Sequence, residues 1–376
     1  MKRRDFLLTA GLATITPLML PLLCRSHEEA SDKPERIVVL LELKGGNDGL
    51  NTVIPYRDPA YQRARPRLAI REGPLLGEDL MLHPALASLM PVLKASRMAF
   101  VLGVGWPQPN RSHFKAMDQW ATGSASGEGP GWFAAALARK RRSRTLVALG
   151  PSGSPALEGS DGLSVQMQPV WQHNPHAGKT RLPAVDPELA GDNAMLRSML
   201  ELEASGQAEV LRLLDSLGDL PQGLTIPRGS LGAQVAMALR LIGAPSPPAV
   251  IGLEHSGFDT HSQQIPRHNQ LLIELADALV CFDAGLRRMN HRPKVALLAI
   301  SEFGRRLNQN ASGGTDHGSA SVALLMGDHL PGRIVGRYPS LGDLDARGDL
   351  IPHVKPTDLY ESAMTSWERL GGLMVL

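Results

Sequence analysis

Ile37-Val38-Val39-Leu40-Leu41-Glu42-Leu43-Lys44-Gly45-Gly46-Asn47-Asp48-Gly49-Leu50-Asn51 passes from a continuous apolar run into a glycine-rich polar turn. A short β-branched run without polar alternation predicts a strand covered on both faces, as strands of parallel sheets are. Five further runs of this kind follow: Met98–Leu102, Thr145–Leu149, Ala249–Leu253, Val295–Ile300 and Val322–Met326. Helical patterns lie between them. His83–Lys94 sets Leu86, Leu89, Met90 and Leu93 on one stripe, and His268–Arg288 does the same with Leu271, Leu272, Leu275, Leu279, Phe282 and Leu286. Strands alternating with such helices predict an α/β fold, a doubly wound and mostly parallel sheet with helices on both faces.

The stretch from about 174 to 241 breaks this rhythm. It is polar at first, helical around Asn193–Leu217, and then turns at Pro221-Gln222-Gly223. It reads as a helical insertion on the α/β frame. The basic run Arg139–Arg144 reads as the solvated C-terminus of a helix, where cations complement the dipole.

The first thirty residues carry a different message. Arg3-Arg4 stands before an apolar stretch that ends at Leu23 and is interrupted by Gly11, Thr14, Thr16, Pro17 and Pro21. The polar run Arg25–Glu29 follows. A twin arginine before a modest apolar segment is an export address read by the Tat translocase, and the stretch is too broken for a spanning helix. Residues 1–30 are therefore expected to be a signal peptide, cut between Cys24 and Asp32. Residues 31–376 are expected to be a periplasmic or secreted domain with no stable membrane span. Leu22 and Leu23 do not suit a lipobox at Cys24. The only other cysteine is Cys281, so no internal disulfide is expected, as suits folding before export. With 39 Lys and Arg against 37 Asp and Glu, no global field selects nucleic acid.

Chemistry-bearing residues gather where strands end. Ligand sites of open α/β sheets lie beyond the carboxyl ends of the strands. There the sequence places Lys44–Asn51, Gly103–Phe114, Glu254–His261, Ser301–Arg306 and Gly313–His317. The turn at Gly45–Gly49 lacks the spacing of a nucleotide loop. Taken singly, Asp48 caps a turn or ligates, and Ser112 caps a helix or acts at its N-terminus on an anion. Asp259 with His261, and Asp316 with His317, are surface pairs or metal donors. Together with Glu302 they form an Asp/His/Glu set suited to Zn²⁺ or Mn²⁺.

These motifs resemble one family in order and across nearly the whole chain. Gly-Gly-Asn-Asp-Gly-Leu-Asn, Asn-Arg-Ser-His-Phe, Phe-Asp-Thr-His-Ser, Ser-Glu-Phe-Gly-Arg-Arg and Gly-Thr-Asp-His-Gly look like the bacterial family known as domain of unknown function 1501. That family is itself similar to the alkaline phosphatase, sulfatase and cofactor-independent phosphoglycerate mutase superfamily. The resemblance implies an alkaline-phosphatase-like domain, a metal bound at strand ends, and a nucleophile at a helix start. By position, Ser112 would match the nucleophile, Asp259 with His261 or His268 the metal pair, and His317 the last ligand. Glu302 falls where an Asp follows the strand. Phe303 stands where that Asp's neighbouring His would be, and Lys44 stands nearer than Asp48 to the first-strand Asp. A Phe cannot ligate, so one divalent ion is expected.

The expected function is an exported metal-dependent hydrolase of phosphate or sulfate esters, acting on a small anionic ester or polymer. Ser112 is the expected catalytic residue. Asp48, Asp259, His261, Glu302 and His317 are expected at the metal, with Asn110, Arg111 and Arg305 on the substrate. The alternative is an exported binding or assembly protein that keeps the fold without catalysis. A triad-type serine hydrolase has no G-x-S-x-G elbow to stand on.

Overall fold

Alternate residues of β1 (Ile37–Lys44) enter two different cores. Ile37, Val39, Leu41 and Leu43 face one side; Val38 and Leu40 face the other. All are buried, so a strand with period-two geometry is apolar throughout because both faces are covered. The structure is a computed structural model and describes residues 36–139, 145–159, 164–167, 185–289 and 294–375. The proposed signal peptide and Lys140–Arg144 of the basic run lie outside the described residues, as do residues 174–184 of the expected insertion.

The other strands of the main sheet are β2 (Met98–Val104), β3 (Leu146–Ala148), β4 (Ser164–Gln166), β5 (Val250–Ser256), β6 (Val295–Ile300), β7 (Ser321–Met326) and β8 (Ile334–Val335). Their order is β8-β2-β7-β6-β1-β5-β3-β4. Every pairing is parallel except those of β7, which runs antiparallel to both β2 and β6. All six runs picked out in the sequence are strands of this sheet.

Helices cover both faces. On one side α4 (Ser230–Ile242) and α5 (Gln264–Arg288) pack through Leu231, Val235, Leu239, Leu272, Leu275, Leu279 and Phe282. On the other, α1 (His113–Thr122), α2 (Trp132–Arg139) and α6 (Pro356–Met364) contribute Trp120, Phe133, Leu359 and Tyr360. Truncating Leu40 to alanine in the middle of such a core costs about 2–5 kcal/mol.

Two segments differ from the reading of the sequence. The His83–Lys94 stripe is a 3-10 segment, Pro84–Leu89, followed by a short α-helix, Met90–Lys94. Pro84 and Pro91 lack the N–H groups of a continuous helix, yet Leu86, Leu89 and Leu93 stay buried. Residues 230–241, assigned to the insertion, belong to the core helix α4. Its apolar residues at 231, 235, 239 and 242 share one face, and Leu239 and Leu241 are fully buried. The remaining long helix, α3 (Ala194–Asp215), starts where expected, with Asn193 Oδ1 accepting from the Leu196 N–H.

Candidate metal centre

The reversal of β7 decides which loops meet. The carboxyl ends of β1, β2, β5 and β6 lie at one rim, and an antiparallel β7 brings its amino end there too. The segment Thr315–His317, just ahead of β7, thus joins the loops after the parallel strands. At the end of β1, Gly45 and Gly46 take φ of 117° and 77°. A Cβ on Gly45 would lie 2.4 Å from the Asp259 backbone nitrogen, so only glycine allows the two rim loops to touch.

Asp259 is the point of convergence. Its Oδ1 lies 3.2 Å from His261 Nε2 and 3.2 Å from His317 Nε2. Those two nitrogens are 2.9 Å apart. His113 Nε2 lies 3.6 Å from Asp259 Oδ2, and donor atoms of His113, Asp259 and His317 all fall within 4.8 Å of one another.

The outer ring nitrogens fix the tautomers. His113 Nδ1 is 2.8 Å from Glu302 Oε1, His317 Nδ1 is 2.8 Å from the Arg111 carbonyl, and His261 Nδ1 is 3.2 Å from Asp316 Oδ1. A carbonyl and an ionised carboxylate can only accept, so each histidine donates from Nδ1 and leaves Nε2 bare. Three lone pairs and a carboxylate then point at one another with no hydrogen between them. A cation resolves that crowding. Three imidazoles and one carboxylate, each imidazole held from behind, fit a Zn²⁺ or Mn²⁺ ion.

The charges support this arrangement. Burial pushes the Asp259 carboxyl up, but the hydrogen bond from Arg305 and the closeness of His317 outweigh it and bring it down to about 2. Burial also works upward on Glu302, and the His113 hydrogen bond holds it below the carboxylate range. The same bond raises His113, whereas burial lowers His317. The Phe303 ring packs 4.9 Å from His113 and 4.6 Å from His317, centroid to centroid, as an apolar wall.

Several expected site residues are engaged elsewhere. Asp48 does not reach the cluster: it is buried, with Oδ2 taking a 2.6 Å bond from Arg65 and another from Gln264, and Oδ1 accepting from the Asn51 N–H. Glu302 stands behind His113, with its carboxylate filled by the Gly45 N–H and the Ser301 hydroxyl as well. His268 is buried against Asn47 Oδ1 at 2.9 Å, away from Asp259. Arg305 is buried and donates to the carbonyls of Gly45, Gly46, Phe258 and Thr315 as well as to Asp259. It has no guanidinium face to offer a substrate. Arg111 is tied to the buried carboxylate of Asp349, and Asn110 Oδ1 accepts from the Ser112 N–H. Lys44 Nζ pairs with Glu254 at 3.1 Å.

Ser112 is exposed at the N-cap of α1, and its side chain makes no capping bond. It sits between Arg111, whose carbonyl holds His317, and His113. The sequence reading missed His113 as a donor, although the residue stood in the Asn-Arg-Ser-His-Phe motif. Its signal was its place in the first turn of a helix that starts at the rim. Asp316 was read with His317 as a surface pair or metal donor, and its bond to His261 depends on the fold.

A family model described as "Protein of unknown function (DUF1501)" matches residues 76–366. The chain belongs to that family. A search of the curated proteins finds no match. Among solved structures, the C-terminal periplasmic domain of EptC from Escherichia coli, in complex with Zn, is similar at 11% identity and a TM-score of 0.37. That alignment covers 82% of this chain and 77% of the other. The soluble domain of lipooligosaccharide phosphoethanolamine transferase A from Neisseria meningitidis gives 10% identity and 0.36, over 79% and 77% of the two chains. A protein in the alkaline phosphatase superfamily from Vibrio parahaemolyticus gives 12% and 0.33, over 78% and 60%. Likenesses this shallow assign neither metal nor substrate to the DUF1501 chain.

Proposed function

We propose that this DUF1501 protein is an exported, metal-dependent hydrolase of phosphate or sulfate esters. One observation carries the reading: the bare Nε2 atoms of His113, His261 and His317 converge on the Asp259 carboxylate. These four residues would hold one Zn²⁺ or Mn²⁺ ion, which supplies Lewis acidity to an ester oxygen or a hydroxyl. Glu302, Asp316 and the Arg111 carbonyl orient the imidazoles. Ser112 is the nucleophile: its Oγ forms a bond to phosphorus or sulfur, its proton leaves to solvent at the open rim, and the ester alcohol departs with a proton from water. Water then releases phosphate or sulfate from Ser112. The free N–H groups in the first turn of α1 support the negative charge during both steps.

Export rests on Arg3-Arg4 and the broken apolar stretch behind them. A second reading, a non-catalytic binding module on the same frame, draws on the Phe303 wall and on the engagement of Arg111 and Arg305. Metal analysis of the purified domain with an ester panel separates the two. Stoichiometric metal and turnover that disappears in Ser112→Ala support the hydrolase. Bound metal without turnover supports the binding module, and folded protein without metal ends the hydrolase reading.

A further inference from the structure

Behind the metal centre, three carboxylates stand around one lysine. Glu42 and Lys44 alternate with Leu41 and Leu43 on β1, and so share the face of Val38 and Leu40. Glu42 registers with Glu254 on β5 and with Ile300 on β6, two residues before Glu302. Lys44 Nζ is taken by Glu254 at 3.1 Å, and Glu254 also accepts from the Ser152 and Ser256 hydroxyls. Glu302 is filled by His113, Gly45 and Ser301. Glu42 is left without a cation of its own, and its buried Oε2 makes no hydrogen bond with the protein.

Glu42, Lys44, Met117, Trp120 and Glu302 line a cavity of about 20 Å³, room for one water. Trp120 is buried, and its indole N–H is a second polar group there without a partner. Met117 and Trp120 lie one and two turns along α1 from His113. The α1 wall of the cavity carries no charge, and α6 adds only the Tyr360 phenol. An ionised carboxylate in this place is costly, and a protonated one is not. Burial pushes the Glu42 carboxyl up to about 7; Glu254 and Glu302 add to it, against the pull of Lys44 and Ser154. The other carboxyls with shifted values, Asp48, Glu254, Asp259, Glu302 and Asp316, are all lowered.

We infer that Glu42, with one water in this cavity, forms a proton-binding site coupled to the metal centre, from which a divalent cation at the rim expels the proton to solvent. The proton site stands on the cavity and the carboxylate cluster; the coupling rests on the metal reading above. The step breaks one O–H bond, releases one proton and moves no electrons. The ionised Glu42 then offsets part of the charge that the cation brings to the rim.

Infrared difference spectroscopy of the purified protein tests both parts. Ordinary carboxyls are ionised above about pH 5.5. A protonated-carboxyl stretch that fades near pH 7 in wild type and is missing from Glu42→Gln is the expected result. Wild type without that signal, or Glu42→Gln that keeps it, overturns the inference. With zinc chloride present, the midpoint is expected to fall by about half a pH unit or more. Zinc that binds without moving the midpoint overturns the coupling; zinc that does not bind overturns the metal reading and the coupling with it. Denaturant melts give a second measurement. The folded value of about 7 lies above the ordinary 4.5, so the stability due to this proton is present below 4.5 and lost as pH rises to about 7. Across that window the folding equilibrium of Glu42→Gln is expected to gain on wild type by up to about tenfold per pH unit. A constant ratio between the two proteins overturns the proton site.

Discussion

Glu302 Oε1 accepts from His113 Nδ1 at 2.8 Å while the same oxygen takes the Gly45 N–H at 2.9 Å. The carboxylate at the end of β6 thus ties the turn after β1 to the first turn of α1, and aims the His113 lone pair at Asp259. A carboxylate behind a metal-bound imidazole raises its basicity and fixes its ring.

Glu302→Ala is therefore expected to lower metal affinity about 10–100-fold, read by competition with a chelator. Glu302→Gln keeps an acceptor for His113 and is expected to lose less. Equal affinity in wild type and Glu302→Ala would remove Glu302 from the centre. His317→Ala, by contrast, deletes a proposed ligand and is expected to abolish stoichiometric binding, as measured by elemental analysis of the dialysed protein.

Stability should fall in acid for a reason separate from the metal. Burial lowers His268 to about 3 and His83 to about 4, against an unperturbed 6.5. Both folded-state values lie below the unfolded one, so the unfolded chain binds more protons and stability falls as pH drops. The window opens near 6.5 and closes near 4 for His83 and near 3 for His268. Inside it each group contributes a slope of about 1.4 kcal/mol per pH unit. Denaturant melts from pH 7 to pH 3 check this. His268→Gln is expected to flatten the acid limb, and an unchanged limb in both His268→Gln and His83→Gln would count against it.

The parts legible in the sequence were those set by local pattern. Ile37–Leu41 and Val295–Ile300 read as doubly covered strands because no polar residue interrupts them, and the polar turns after them marked the rim. What did not follow from pattern depends on direction and on distant partners. The antiparallel run of β7, which carries His317 to the rim, leaves no trace in an apolar sequence that suits either direction. Asp48 looked like a ligand because it follows β1, and only the fold brings Arg65 and Gln264 to its oxygens. Arg305 looked like an anion clamp until four backbone carbonyls closed around it. His113 and Glu302, 189 residues apart in sequence, become one unit only in space.

Export gives a prediction independent of the fold. Replacing Arg3 and Arg4 together by Lys keeps the charge but removes the pair that the Tat receptor reads. Precursor is expected to accumulate in the cytoplasm, with the melting temperature of the domain unchanged. Fractionation and immunoblotting measure it, and normal yield outside the cytoplasm would contradict the Tat assignment.

Ser112→Ala separates chemistry from structure at one atom. A serine at an N-cap whose oxygen accepts a helix N–H costs about 0.5–2 kcal/mol when truncated, but Ser112 makes no side-chain capping bond. Its removal is therefore expected to cost less than about 0.5 kcal/mol. Metal content should also be unchanged, because the proposed ligands are His113, Asp259, His261 and His317. If Ser112 is the nucleophile, turnover of 4-nitrophenyl sulfate or bis(4-nitrophenyl) phosphate should fall by at least about a thousandfold, in line with losses seen when a nucleophile is deleted. Loss of turnover together with loss of metal or of several degrees in melting temperature would instead assign Ser112 a structural role. Full turnover in a folded, metal-loaded Ser112→Ala protein would move the nucleophile to water and leave the metal centre as the only catalytic element of the rim.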